Sequence, residues 1–291
     1  MGGIVPTLAS LGHSRHLPNV ICQTLEQANL SVEDLDAIAV TRGPGLPPCL
    51  PVGLNAAKTL AAVTKKPLIG VHHMEAHALT ARLTTTSTSA SEPAPAFPFM
   101  TLLISGGHTL LLTANGLGDY NQLGTTLDNA VGEAIDKTAR ILGLDWIKGR
   151  RGGPGAALEQ AALRGDPERF TSRLPRPMLQ RNKSVIGFSF SGLKTAMSRL
   201  TESEGVDIKR PQDGKHNIKR TKVNEAIIRL EAVAASYNLP LVCPPPQFCT
   251  DNGVMIAWAG LERLKAGLVD DYTITSLPKW SIESLKERNM S

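Results

Sequence analysis

The sequence is poor in aromatic residues and cysteine, and it contains no long apolar run. Aromatic side chains make up 4% of its 291 residues, which argues against a protein that binds single-stranded nucleic acid by base stacking. The four cysteines include no C-x-x-C pair, so neither a disulfide framework nor a cysteine-based zinc knuckle is indicated. No window approaches 18 consecutive apolar residues, and we therefore expect no membrane span.

The first residues, Met1 to Pro6, resemble neither a signal peptide nor a transit peptide, and we expect the chain to begin inside a domain. Its length is sufficient for one large domain or two packed lobes with a substantial core. The formal net charge of +5 permits a polyanionic partner but does not require one.

Two histidines, His73 and His77, are the best candidate metal ligands. They follow a short apolar run, Pro67 to Val71, and open a segment rich in Ala and Leu that predicts a helix. Four helical residues advance about 400°, so both imidazoles lie on one face, roughly 40° apart. Glu75 lies about 200° from His73, unlike the glutamate of the H-E-x-x-H zinc peptidases, which directly follows the first histidine. The spacing therefore disfavours a peptidase, and a pair of partly buried histidines bonded to the backbone is the alternative to a metal site.

An acidic residue far along the chain is the candidate third ligand. Pro244 to Pro246 force an extended loop that leads to Asp251, at the start of a predicted helix over 254–264. Asp251 in that position either caps the helix, which is the usual role, or provides a hard ligand beside His73 and His77.

Strands and helices are predicted to alternate, which favours an α/β fold. A low-complexity stretch rich in Thr, Ser, Ala and Pro, residues 84–98, is the best candidate domain boundary. Strands are predicted over 35–40, 67–71, 184–190 and 239–242, and helices over 17–30, 52–63, 125–144, 191–200 and 223–237.

Three further segments have the composition of anion-binding sites. Ser105 to His108 form a Gly-Gly turn between two apolar runs, and such a turn either holds an oxyanion or phosphate or only closes a hairpin. Gly149 to Gly155 is a glycine-dense loop with two arginines before a predicted helix. The basic stretch 201–222 is either a solvated linker or a contact to a phosphate backbone. Asp136, on the predicted helix 125–144, is a candidate acceptor for ligand hydroxyls.

Seven motifs taken together resemble the tRNA adenosine threonylcarbamoyltransferase family, also called the O-sialoglycoprotein endopeptidase-like family, in its bacterial and organellar branch. The similarity extends over most of residues 2–200 and again over about 239–265. The motifs occur in order: Gly2 to Pro6 with Leu8 to Ser10, Gly43 to Leu46, His73 to His77, Ser105 to His108, Thr126 to Asp128 with Gly132 to Ala134, Phe188 to Lys194, and Cys249 to Gly253.

The resemblance implies an actin-like, two-lobed α/β fold of the sugar kinase and heat-shock ATPase type. One lobe would comprise residues 1–97 and 245–291, and the other residues 98–244. It also implies a reaction in which the threonylcarbamoyl group of threonylcarbamoyl-adenylate is transferred to the exocyclic amine of the adenosine next to the anticodon. The substrates would be tRNAs that read codons beginning with adenine, and AMP would be released.

The resemblance also implies the site residues and the partners. His73, His77 and Asp251 would hold one divalent metal ion, iron or zinc. The partners would be tRNA, the adenylate and a second copy of the chain, with no membrane. The adenylate's phosphate side would be lined by Leu103, Ile104, Ser105, Gly106 and Gly107, and its ribose and base would meet Asp136 and Gly153.

The sequence departs from the family pattern in two places. The family's N-terminal strands are absent, and a polar linker replaces a Gly-Gly-Val segment between Leu200 and Leu239. We therefore hypothesise that the chain is a truncated or alternatively spliced product. Two alternatives to the transferase remain: an inactive binding or assembly subunit, and a metallopeptidase. The motifs of bacterial type, together with the Ser/Thr/Pro insertion, favour a mitochondrial protein over a bacterial cytoplasmic one.

Overall fold

The chain divides into two compact units, which are described separately. The structure is a computed structural model that describes residues 4–88, 94–144, 154–162, 172–174, 186–204 and 230–286. The first unit comprises Met1–Thr101, Thr113–Asn121 and Cys243–Ser291, and the second comprises Leu102–Leu112 and Gln122–Val242. The segment Thr113–Asn121 thus groups with the first unit, whereas the sequence assigns the whole of 98–244 to one lobe.

Helices and strands alternate in the N-terminal part, as the sequence predicts for an α/β fold. β1 and β2 are parallel, with Ile38 opposite Leu68 and Val40 opposite Gly70. A 3₁₀ turn precedes β1, and its Ser31 and Asp34 form a capping box. The elements are α1 (Pro6–Ala28), the 3₁₀ turn Val32–Asp34, β1 (Ile38–Gly43), α2 (Leu50–Thr64), β2 (Leu68–His72) and α3 (His73–Thr88).

The remaining strands form a four-stranded sheet in the order β3-β4-β5-β6. The elements are β3 (Phe99–Ile104), β4 (Thr109–Gly116), β5 (Asp119–Thr126), α4 (Val131–Ile141), α5 (Pro154–Ala162), β6 (Gly187–Phe188), α6 (Ser191–Ser203), α7 (helical residues 230–236), α8 (Pro246–Cys249), α9 (Gly253–Lys265) and the 3₁₀ turn Ile282–Ser284. β3 and β4 are neighbours, which confirms the hairpin predicted around Ser105 to His108.

The core of the first unit lies between β2, α3 and α9. Every residue of β2 is buried, as its continuous apolar run predicts for a strand covered on both faces. Small side chains let the helices approach closely, since Ala76 of α3 and Ala259 of α9 have no exposed surface. This cluster comprises Ile69, Val71, Ala76, Leu79, Met255, Ile256 and Ala259.

Three sequence predictions of secondary structure are corrected. The helix predicted over 125–144 begins only at Val131, because Thr125 and Thr126 end β5 and pair with β6. Residues 239–242 form no strand. The helix predicted over 17–30 begins at Pro6, and none of its residues is buried.

α1 exposes a set of apolar side chains to solvent. It continues through Pro18, and it ends at Asn29 in the left-handed conformation, a common helix terminus. Leu8 is 54% exposed, Leu11 58% and Val20 52%. Among the helices of the described residues, none is long and apolar enough to cross a membrane.

We expect Gly260→Ala to destabilise the first unit. A Cβ at Gly260 would lie 2.4 Å from the Cβ of Ala39, so β1 and α9 would have to separate. Overpacking of this kind costs about 1–3 kcal/mol. Gly253→Ala is the matched control, because a Cβ there meets nothing within 4 Å. Urea denaturation of both variants checks the prediction, and equal free energies of unfolding would contradict it.

Candidate metal centre

His73 is the first residue of α3 and directly follows β2, with no intervening loop. Because β1 and β2 are parallel, α3 starts at the carboxyl edge of their sheet. That edge is where open α/β sheets bind ligands. His77 lies one turn further along α3, and the two imidazole centroids are 4.8 Å apart, edge to face. The predicted shared face is therefore observed.

The adjacent His72 belongs to the strand and does not join this pair. Its side chain is 1% exposed. Nδ1 accepts a hydrogen bond from the Met74 amide at 3.2 Å, and Nε2 lies 3.1 Å from the carbonyl oxygen of Trp280. Since Nδ1 is an acceptor, Nε2 carries the proton and donates it to Trp280. His72 is thus a buried structural histidine.

Asp251 is brought to the two histidines by the start of α9. The helix is capped by the next residue, because the Asn252 side chain accepts a hydrogen bond from the Met255 amide at 2.9 Å. The predicted alternative, in which Asp251 itself is the cap, is therefore wrong. Oδ1 of Asp251 lies 3.1 Å from Nε2 of His77 and 3.4 Å from Nε2 of His73.

Two of the three separations at this site match those between ligands of a single divalent ion. The candidate ligand atoms of His73, His77 and Asp251 all lie within 4.8 Å of one another. Two atoms bonded to one ion at about 2.1 Å, at angles of about 95–110°, are separated by about 3.1–3.4 Å. The two distances to Asp251 match that separation. Two imidazoles and one carboxylate are also a donor set that suits zinc or iron.

Electrostatics keep the acidic ligand in its binding form. Hydrogen bonds from His73, and then from His77, hold the pKa of the Asp251 carboxyl far below its ordinary value. The side chain of Asp251 is 78% exposed, whereas those of His73 and His77 are 22% and 12% exposed. An ionised carboxylate thus faces solvent above two partly covered rings, an arrangement that a cation can reach.

Glu75 points away from the site, as the helical spacing predicts. It has no exposed surface, and its carboxylate accepts hydrogen bonds from the Gly118 amide and the Arg263 guanidinium. Burial raises the pKa of Glu75, and the charge of Arg263 opposes that rise. A glutamate held in this way is not placed to act as a base beside the three candidate ligands.

The second unit contains the predicted Gly-Gly turn. The Ser105 amide donates to the carbonyl of His108 at 2.8 Å, and the His108 amide donates to the Ser105 hydroxyl at 3.0 Å. A Cβ at Gly106 or Gly107 would meet nothing within 4 Å. The turn therefore presents its two glycines to open space.

The other predicted contacts of the second unit have different surroundings. Leu103 is buried, at 9% exposed, and Ile104 is 59% exposed. Leu103 can therefore offer a ligand little more than backbone. Oδ1 of Asp136 accepts a hydrogen bond from the Gly155 amide at 2.8 Å, at the beginning of α5. Gly153 lies outside the described residues.

Comparison with known proteins decides the family. The family model described as tRNA N6-adenosine threonylcarbamoyltransferase, TsaD, matches residues 1–258. The chain is 44% identical to the protein of that name from Methylobacterium sp. (strain 4-46), over 96% of this chain and 85% of the relative. It is 40% identical to a probable mitochondrial tRNA N6-adenosine threonylcarbamoyltransferase of Arabidopsis thaliana, over 97% of this chain and 67% of the relative.

The chain belongs to the tRNA N6-adenosine threonylcarbamoyltransferase family. Its relatives are named as acyl-transferring enzymes of tRNA modification, which confirms the resemblance seen in the sequence motifs. The alignment to the Methylobacterium protein extends over 313 positions, more than the 291 residues of the chain. The relative therefore has residues within the aligned region that have no counterpart here.

Solved structures add little to this assignment. YeaZ from Pseudomonas aeruginosa matches with a TM-score of 0.29 and 13% identity, over 66% of this chain and 78% of YeaZ. A likeness this weak supports no conclusion about the fold.

Sequence reasoning missed the role of Asp128, which joins two of the threonylcarbamoyltransferase motifs. Partial burial works against ionisation, but hydrogen bonds from Ser189, Ser191 and the Phe190 amide outweigh it and hold the pKa of Asp128 far below its ordinary value. The hydroxyl contacts are 2.5 Å for Ser189 and 2.7 Å for Ser191. The predicted helix over 125–144 hid this contact, because it placed Asp128 on a helix rather than in the turn after β5.

We expect the adjacent residues Asp251 and Asn252 to respond differently to substitution. Asn252→Ala removes the cap of α9 and should lower the free energy of unfolding by about 1 kcal/mol. Asp251→Asn leaves that cap in place but weakens the hydrogen bonds from His73 and His77 that lower the pKa of Asp251. Because the Asp251 side chain is 78% exposed, solvent screens this loss, which should be smaller than the loss for Asn252→Ala. Urea denaturation in the presence of a chelator checks both values. An unchanged free energy of unfolding for Asn252→Ala would mean that Asn252 does not cap the helix.

Proposed function

We propose that this chain transfers the threonylcarbamoyl group from threonylcarbamoyl-adenylate to the N6 amine of the adenosine next to the anticodon, in tRNAs that read codons beginning with adenine. The amine nitrogen attacks the carbamoyl carbon, and the bond from that carbon to the adenylate phosphate oxygen breaks. AMP leaves, and one amine proton is released. Family membership supports the reaction, and the convergence of His73, His77 and Asp251 is the observation that supports the site.

The three convergent residues would hold one divalent ion, iron or zinc. When bound, such an ion supplies a Lewis acid and an anchor for the carbamoyl end of the adenylate. His73 and His77 would each contribute an imidazole nitrogen, and Asp251 would contribute a negatively charged oxygen. Because Asp251 is largely exposed, the open side of the set faces solvent, from which both substrates arrive.

The adenylate would be held by the predicted residues of the second unit. The amides of Gly106 and Gly107 suit its phosphate, since consecutive N–H groups in a turn bind anions and the space beside both glycines is open. The backbone of Leu103, Ile104 and Ser105 would continue that contact.

The ribose would meet Asp136, and the base would meet Gly153. Within the described residues, Asp136 uses Oδ1 for the Gly155 amide, which leaves Oδ2 for a ribose hydroxyl. Asp136 would thus be fixed by one oxygen and bind the ligand with the other.

The peptidase alternative is disfavoured by the position of Glu75. A zinc peptidase needs a carboxylate that acts as a base on metal-bound water. Glu75 is fully buried and bonded to Gly118 and Arg263, on the side of α3 opposite His73 and His77.

Fold, assembly and location complete the proposal. The two units would be the lobes of an actin-like fold. The sequence would diverge from the family at the polar linker 201–222. The exposed Leu8, Leu11 and Val20 of α1 would contribute to a homodimer contact. The Arabidopsis relative named as mitochondrial supports a mitochondrial location, and the bacterial relatives support the bacterial cytoplasm as the alternative.

We expect His77→Ala to abolish both metal retention and transfer. The measurement is zinc and iron content, together with formation of threonylcarbamoyladenosine from the synthetic adenylate and unmodified tRNA. His16→Ala is the matched control, because His13 and His16 are also neighbouring histidines on a helix, both exposed, and neither contacts the candidate site. The control should retain metal and activity. Metal binding without transfer in the unsubstituted protein would instead favour a binding or assembly subunit.

We expect Gly132→Ala to weaken adenylate binding without altering metal affinity. A Cβ at Gly132 would lie 2.6 Å from the Ser105 carbonyl oxygen and 2.7 Å from the Gly106 Cα, so the turn must shift. The KM for the adenylate should rise about tenfold, which corresponds to the loss of about 1.4 kcal/mol of binding. Gly192→Ala, where a Cβ meets nothing within 4 Å, is the control. An unchanged KM for Gly132→Ala would show that the turn does not contact the adenylate.

A further inference from the structure

A buried ion pair connects the two helices that position the candidate metal ligands. Glu75 of α3 has no exposed surface, and Arg263 of α9 is 6% exposed. Nη1 of Arg263 donates to Oε2 of Glu75 at 3.2 Å, and the Gly118 amide donates to Oε1 at 2.9 Å. Both oxygens of Glu75 therefore have a directed partner.

The ion pair of Glu75 and Arg263 lies on the two helices that are next to the candidate metal ligands. Glu75 stands midway between His73 and His77 in α3 but faces the opposite side of that helix. Arg263 lies in the helix that begins two residues after Asp251. The pair thus connects the element that bears both imidazoles to the element that follows the carboxylate.

A second ion pair connects the two helices: Nε of Arg82 lies 2.8 Å from Oε1 of Glu262. Arg82 is more than one helical turn beyond His77, so the pair of Glu75 and Arg263 is the one placed within the span of the two histidines.

The core contacts between the helices come from apolar side chains such as Ala76, Leu79 and Ala259, and apolar contact is not directional. A helix rises 1.5 Å per residue, so a slip of a fraction of a residue would move Asp251 by more than a metal site tolerates, which is about 0.5 Å. Hydrogen-bonded charges resist such a slip.

Stability alone is a poor reason for this pair. Removing two charges from water costs several kcal/mol per ion, and well-packed apolar replacements of buried ion pairs are often neutral or stabilising. A buried pair at this position is better explained by the geometry that it imposes.

We propose that Glu75 and Arg263 are positioning residues for the metal site, which fix α3 against α9 so that His73, His77 and Asp251 remain at coordinating distance. The inference rests on the metal binding assigned under the proposed function. Neither residue contacts the ion or the substrates. Outer residues that orient ligands in this way typically contribute 10- to 100-fold to metal affinity.

The test is the double variant Glu75→Met with Arg263→Met in the full chain. It removes both charges together, so no unpaired ion remains buried. Because the Gly118 amide loses its acceptor, the unfolding midpoint in urea should fall, but by less than in the cavity-forming control described next. The affinity for Zn²⁺, measured by competition with a chromophoric chelator, should fall about 10- to 100-fold. The visible absorption of bound Co²⁺ should change in shape, because the ligands are no longer held in one geometry.

Leu79→Ala is the matched control at the same interface. Leu79 is fully buried in α3, so its truncation leaves a cavity and should lower the unfolding midpoint. The ion pair remains, and the Zn²⁺ affinity and Co²⁺ spectrum of the folded variant should be those of the unsubstituted protein. A loss of Zn²⁺ affinity in the double variant that the less stable Leu79→Ala variant does not show supports a positioning role.

Two outcomes would overturn the inference, and they differ. If the unsubstituted protein binds Zn²⁺ and the double variant binds it equally tightly with the same Co²⁺ spectrum, the positioning role is wrong while the metal site stands. If the unsubstituted protein binds neither ion, the metal site of the proposed function fails, and the positioning role fails with it.

Discussion

The packing of α3 against α9 is the constraint on which the candidate site depends. Residues far apart in sequence, His73 and Asp251, reach the same point only because these helices share one core with β2. Small buried side chains, Ala76 and Ala259, allow the helices to approach closely. The ion pair of Glu75 and Arg263 adds a directional contact between them. The same interface thus contributes both to the stability of the unit and to the geometry of the three donors.

The site combines two histidines on a rigid framework with one exposed acidic residue. His73 and His77 lie at the beginning of a helix that directly follows a buried strand. The strand therefore fixes the point at which the helix begins, and with it the position of the two imidazoles. Asp251 precedes a capped helix and faces solvent. Because Asn252 takes the role of cap, the Asp251 carboxylate is available to the histidines. Two adjacent residues with similar side chains therefore have separate functions, one in folding and one in the proposed chemistry.

Much of this site is predictable from sequence, and the remainder has physical reasons for being missed. Helical spacing is sufficient to place His73 and His77 on one face and Glu75 on another, because periodicity is local. Which of Asp251 and Asn252 caps α9 is a choice between similar groups that only the tertiary structure settles. The partners of Glu75 and Asp128 are distant in sequence, so no spacing rule finds them. The start of α4 was predicted too early because the apolar pattern does not distinguish the end of a strand from the first turns of a helix.

The most direct test of the central claim is X-ray absorption spectroscopy at the zinc edge of the zinc-loaded full chain. The account predicts a first shell of nitrogen and oxygen at about 2.0–2.2 Å, with outer scattering from two imidazole rings. A sulfur shell at about 2.3 Å, as from one of the cysteines, or a first shell without imidazole scattering, would contradict it.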